Sequence, residues 1–110
     1  MREEQYTFPS TIASEDIHKF LAGIHYEIYK ILGAHPMKIG KVQGVRFAVW
    51  APRAVSVSVV GDFNKWDVNA HIMNRLEGGI HELFVPGVSV GDLYKYAIRQ
   101  KDYSIIYKSD

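Results

Sequence analysis

Apolar side chains recur at helical spacing through the first third of the chain. Ile17, Phe20, Leu21, Ile24, Ile28, Ile31 and Leu32 would form one stripe on a helix of 3.6-residue period. Ser14 stands where an N-cap belongs, with Glu15 and Asp16 in the first turn behind it. Gly33 suits a C-cap, and Pro36 stops further helix. Gly23 interrupts the stripe, so one helix and two short ones are both compatible with it.

Beyond Pro36 the period changes to two. Val45, Phe47 and Val49 alternate with Arg46, Ala48 and Trp50, and Pro52 ends the run. Val55, Val57 and Val59 alternate with Ser56 and Ser58 up to Gly61. Further strands are expected from Ile80 to Val85, Leu93 to Arg99 and Ser104 to Lys108, divided by Pro86-Gly87 and Gly91-Asp92. Short alternating runs with turn residues between them predict an antiparallel sandwich or barrel. The expected organisation is a helical N-terminal arm over residues 1–36 and a mainly β domain over residues 37–110.

Composition narrows the function classes. The net charge of +1 gives no basis for a nucleic acid or anionic membrane as partner. The absence of cysteine excludes disulfides and thiolate metal sites. No apolar stretch approaches the roughly 20 residues that span a bilayer, and the polar start Met1-Arg2-Glu3-Glu4-Gln5 does not read as a signal peptide. A cytoplasmic setting is the expectation.

Catalytic and metal chemistry find little support. His18, His25, His35, His71 and His81 show no metal-ligand spacing, and surface or hydrogen-bonded roles are expected for them. Asp62 and Asp67 flank a turn and read as turn-capping residues rather than an acid–base pair. No nucleophile motif and no phosphate-cradling glycine loop occurs, so neither catalytic residues nor a cofactor are expected.

One segment has a different character: Gly61-Asp62-Phe63-Asn64-Lys65-Trp66-Asp67. Gly61 and Asn64 permit a tight loop, and two aromatics follow a β-branched strand. Phe63 is expected in the core. Trp66, between Lys65 and Asp67, is either a surface ring for stacking on a pyranose, or a ring that plugs the end of the sandwich or meets a neighbouring domain.

The segments Tyr26 to Pro36 (ending Leu-Gly-Ala-His-Pro), Gly44 to Pro52 and Val57 to Asp67 resemble bacterial 1,4-α-glucan (glycogen) branching enzymes. Glu82 to Gly87 and Leu93 to Ile98 continue the likeness, which covers nearly all the chain after about Ile17. The Gly-Asp-Phe-Asn-x-Trp element alone is similar to the wider carbohydrate-binding module family 48. The resemblance implies an immunoglobulin-like antiparallel β-sandwich standing ahead of a catalytic barrel. In the family that barrel cuts an α-1,4-glucan and rejoins the piece through an α-1,6 bond, with a carboxylate pair none of whose motifs occurs before Asp110.

The resemblance further implies a weakly bound α-glucan as partner, the barrel as an intramolecular partner, and a last strand of the module beyond Asp110. Its glucan-binding set maps onto Trp66, Asn64 and Lys95, with Tyr107 the remaining candidate for a second aromatic because no tryptophan follows Lys95. Alternation puts Lys95, Ala97 and Arg99 on one face of their strand and Tyr94, Tyr96 and Ile98 on the other. Lys95 on the outer face is either a hydroxyl donor or an ordinary solvated lysine. The alternatives to a glucan-holding module are a structural module docking on the barrel through Trp50 and the Ile17–Leu32 stripe, and a stand-alone regulatory glycogen-binding domain.

Overall fold

The structure, a computed structural model, describes residues 8, 10–23, 28–89 and 91–110. Helix α1 covers Ser14–Leu21. Its N-cap is Ala13 rather than Ser14, because the Ala13 backbone is extended and its carbonyl already accepts the N–H groups of Asp16 and Ile17. The helix ends far short of Gly33. Gly23, at φ +78°, donates its N–H to the Phe20 carbonyl and takes the C-terminal role expected of Gly33. A single 3₁₀ turn follows at Ile28–Lys30. Ile24 and His25 lie outside the described residues.

The strands are β1 Gly33–Ile39, β2 Val42–Trp50, β3 Ser56–Gly61, β4 Asn74–Arg75, β5 Ile80–Pro86, β6 Tyr94–Arg99 and β7 Ile105–Lys108. β2, β3, β5, β6 and β7 fall where alternation places them. β1 does not: the stretch containing Pro36 reads as a helix stop, yet Pro36 sits opposite Val45 inside the strand. An edge strand tolerates a residue with no N–H to give, and β1 is an edge. The sheet thus begins inside the span expected to be arm.

Pairing is antiparallel throughout the named strands. β1-β2-β5-β4 form one sheet and β3-β6-β7 the other. The sandwich core lies between them, built from Val45, Phe47 and Val49 of β2, Val57 and Val59 of β3, Val85 of β5, and Tyr96 and Ile98 of β6. Each such burial contributes about 1.5–3 kcal/mol of transfer free energy.

The outer face of the four-stranded sheet is also covered. Ile12, Ile17, Phe20 and Ile31 pack there against Ala48 and Ile80. Much of the helical stripe is therefore satisfied within this chain. A buried polar clasp fixes the arm beside it. Glu82 Oε2 accepts from the N–H and the hydroxyl of Thr11, both at 3.0 Å, and lies 3.7 Å from Arg46 Nη1. Arg46 donates to Thr11 Oγ1 and to the Lys30 carbonyl. Burial pushes the Arg46 guanidinium down from its ordinary pKa, and Glu82 opposes that shift.

Candidate functional site

β3 ends at Gly61, a position where nothing larger fits. A Cβ there would lie 2.3 Å from the Leu93 carbonyl oxygen and 2.7 Å from the Phe63 ring. The chain then makes a 3₁₀ turn over Asp62–Asn64. Asn64 builds the loop with both atoms of its amide. Oδ1 accepts the Gly61 N–H at 3.0 Å, while Nδ2 donates to the Val59 carbonyl at 3.0 Å and to His71 Nδ1 at 2.8 Å. Burial holds His71 below its ordinary pKa, which keeps the accepting lone pair in place.

Phe63 turns inward, its ring stacked on Phe47 at 6.2 Å and edge-on to His71 at 5.7 Å. Lys65 and Trp66 follow at φ 57° and 58°, two successive non-glycine residues in the left-handed region. Each costs about 1–2 kcal/mol, which the Asn64 bonds and the Phe63 anchor must offset. The backbone N–H of Trp66 returns to the Gly61 carbonyl at 2.9 Å, and its indole Nε1–H donates to Asp62 Oδ1 at 2.9 Å. Trp66 is 40% exposed. Asp67 accepts the Asn69 N–H, so both loop aspartates serve local geometry.

Lys95 is exposed on β6 directly opposite Val60, one residue before the end of β3 from which the loop springs. Trp66 and Lys95 thus stand at the same end of the three-stranded sheet. Among the described residues the Lys95 ammonium has no hydrogen bond or ion pair. Tyr107 on β7 pairs with Ala97, placing it on the outer face with Lys95 as its diagonal neighbour. Tyr107 is 54% exposed. The structure therefore puts Lys95 and Tyr107 on one face of the three-stranded sheet, roots the Trp66 loop at the β3 end beside Lys95, and makes Asn64 the residue that shapes the loop from within. An exposed flat ring, a cation with unused donors and a second exposed ring suit a neutral, hydroxyl-rich ligand with apolar ring faces.

Two further exposed aromatics stand away from this loop. Tyr103, in the β6–β7 turn, is 81% exposed and has φ +70°. Trp50, 45% exposed, has its Nε1–H on the Gly78 carbonyl and its ring edge-on to Phe20 at 5.3 Å. Each described histidine has a hydrogen-bond partner: His18 with Glu77, His35 with the Leu32 carbonyl, His71 with Asn64, His81 with the Ala51 carbonyl. Among the described residues, none of the helices is long and apolar enough to cross a membrane.

Comparison with known proteins follows the same lines. The family described as carbohydrate-binding module 48 (isoamylase N-terminal domain) matches residues 31–110. A 1,4-alpha-glucan branching enzyme GlgB of Thermosynechococcus vestitus is 51% identical over 97% of this chain and 14% of its own length. The proteins of the same name from Nitrosococcus oceani and Butyrivibrio fibrisolvens are 46% and 51% identical over 97% and 90% of the chain. The chain thus spans about one-seventh of the relatives it matches, 14–16% of their length. Among solved structures, the catalytic module of the glycogen-degrading pneumococcal virulence factor SpuA superposes with a TM-score of 0.50 at 23% identity, over 69% of this chain and 12% of that one. That likeness concerns the fold.

Proposed function

The chain belongs to the carbohydrate-binding module 48 family, and from that premise we propose that it is the non-catalytic, glucan-holding module of a 1,4-α-glucan branching enzyme. In this reading it holds an α-glucan weakly while a catalytic barrel elsewhere in the enzyme cuts an α-1,4 link and remakes it as α-1,6. The activity named for the relatives supports the parent activity. The cytoplasmic setting expected from the sequence belongs to the same proposal.

One observation within the chain carries the reading. The Trp66 loop accepts two left-handed residues in succession in order to leave an indole half-exposed, with its N–H already bonded to Asp62. A ring serving only as a plug would be buried, and the strain would bring nothing. Trp66 supplies the stacking face, Lys95 a hydroxyl donor and Tyr107 a second ring, while Asn64 holds the loop in shape. Stacking and hydroxyl bonding of this kind need no cofactor.

The test is retardation in glycogen-containing native gels, with circular dichroism to verify folding. Removing the stacking ring in Trp66→Ala should cost on the order of 1–3 kcal/mol, by analogy with aromatic stacking of bases, and abolish retardation. Lys95→Ala should weaken it less, because its bond is screened by solvent. A folded Trp66→Ala protein retarded as strongly as the parent would assign Trp66 to structure.

A second reading, a module docking on the catalytic barrel, draws on Trp50. Its ring stands half-exposed beside α1, whose Leu21 is also 45% exposed. If Trp50→Ala lowers the melting temperature of the whole enzyme by clearly more than that of this chain, docking is supported.

A further inference from the structure

On the outer face of the three-stranded sheet, a notch of about 50 Å³ opens beside the segment that follows the Trp66 loop. The paired residues Ser58 and Ala97 line it, together with Ser56, Arg99, Asn69 and Ile72. Ser58 is only 4% exposed. Among the described residues nothing bonds the Arg99 guanidinium, the hydroxyls of Ser56 and Ser58 or the Asn69 side-chain amide. Arg46 and Arg75 differ, since their guanidinium groups donate to Thr11 and to the carbonyls of Lys30, Ala54 and Pro52. Arg99 is thus a half-buried fork with its donors free among hydroxyls that are also free.

The notch is continuous with the proposed site. Ala97 lies directly across from Tyr107, and Lys95 precedes it by two positions on the same face. Arg99 is two positions further on, so it stands roughly 13 Å from Lys95 at about 3.3 Å per residue. We infer that this notch is a second contact point for the same glucan chain, which is held at Trp66 and Lys95 and reaches Arg99 by passing over Tyr107. The inference rests on the glucan-holding reading. Its volume is below that of a pyranose ring and comparable with one or two waters, so it would receive a hydroxymethyl or hydroxyl substituent rather than a ring. The guanidinium fork donates to the substituent's oxygens, and the serine hydroxyls and the Asn69 carbonyl accept its protons. A single sugar ring cannot reach from Lys95 to Arg99, so Arg99 should discriminate by chain length.

Calorimetric titration with maltose and with maltoheptaose tests this on the parent, Trp66→Ala, Arg99→Ala and Arg99→Lys proteins. Trp66→Ala is expected to weaken both ligands. Arg99→Ala should leave maltose affinity within about twofold and weaken maltoheptaose about tenfold, the loss of a charged hydrogen-bond set. Arg99→Lys, which keeps the charge and the packing stem but loses the fork, should recover only part of that loss. Unchanged maltoheptaose affinity in both Arg99 variants, with Trp66→Ala still impaired, overturns the notch and leaves the glucan-holding reading standing. Equal weakening of maltose and maltoheptaose by Arg99→Ala also overturns it, since Arg99 would then belong to the primary contact. No binding of either sugar by the parent protein overturns both.

Discussion

The indole Nε1–H of Trp66 donates to Oδ1 of Asp62 at 2.9 Å, so a side chain four positions earlier sets the tilt of the exposed ring. The bond uses the one polar group of the indole and leaves its π faces for a ligand. It also limits rotation of the ring before anything binds, which reduces the ordering cost of stacking.

Asp62→Ala should therefore weaken glucan retention about three- to fivefold while leaving the fold intact. The aspartate is exposed, so the bond contributes little to stability. Native-gel retardation read alongside thermal melting checks this. Unchanged retardation would mean that the loop backbone alone orients the ring.

Gly61→Ala should destabilise the chain by about 1–3 kcal/mol, the usual cost of overpacking a tight contact. The added methyl would meet the Leu93 carbonyl oxygen at 2.3 Å, and that atom belongs to backbone that cannot simply turn aside. Gly40→Ala is the useful comparison, since φ +63° strains the backbone there but no atom lies within 4 Å. A melting temperature lowered more in Gly61→Ala than in Gly40→Ala is the expected result. Equal values would show that the sheet shifts to make room.

The reach of the sequence follows from which signals are local. Strict alternation at Val45–Val49 and Val55–Val59 located β2 and β3, because a sheet with one face on the core imposes period two. Ile28, Ile31 and Leu32 keep helical spacing, yet α1 ends at Leu21 and Ile28 opens a separate 3₁₀ turn. Gly23 broke the helix, and Ile31 reaches the same cluster from a separate turn. β1 was hidden because Pro36 is forbidden only where an N–H is required, and edge position depends on tertiary pairing. The outward face of Lys95 was legible from strand parity, and the tight loop that carries Trp66 from Gly61 and Asn64. The closed bonding of Asn64 was not, since it depends on His71 and Val59 being carried to the loop by the fold.

The clasp between arm and sheet offers a test of how the arm is held. Glu82→Ala leaves Arg46 buried with no counter-charge and Thr11 without its acceptor, so a loss of about 3–5 kcal/mol is expected. Arg46→Met together with Glu82→Leu should cost much less, because neither charge then remains in the interior. Urea unfolding of the variants checks the order. If the double variant is as unstable as Glu82→Ala, the hydrogen bonds to Thr11 and Lys30 hold the arm rather than charge compensation.

Acid should loosen the site loop before it unfolds the sandwich. Burial holds the pKa of His71 below the ordinary 6.5. His81 is lowered by burial first, opposed by its bond to the Ala51 carbonyl, with Arg75 adding to the lowering. For both, the unfolded chain takes up the proton at a higher pH than the folded one. Their contribution to stability is therefore complete above about pH 6.5 and is lost as pH falls from there through the folded values. Protonation of His71 also removes the lone pair on Nδ1 that accepts from Asn64 Nδ2, and Asn64 is the rivet that holds Gly61 and Val59 to the loop. Between about pH 7.5 and about pH 5.5 the urea midpoint should fall, and glucan retention should fall once pH drops below the lowered folded value of His71, while the chain is still folded. His71→Gln removes the titrating group and should flatten the retention profile, while His81→Gln should flatten only the stability profile. Retention that declines identically in His71→Gln and in the parent would place the acid sensitivity outside the Asn64–His71 contact.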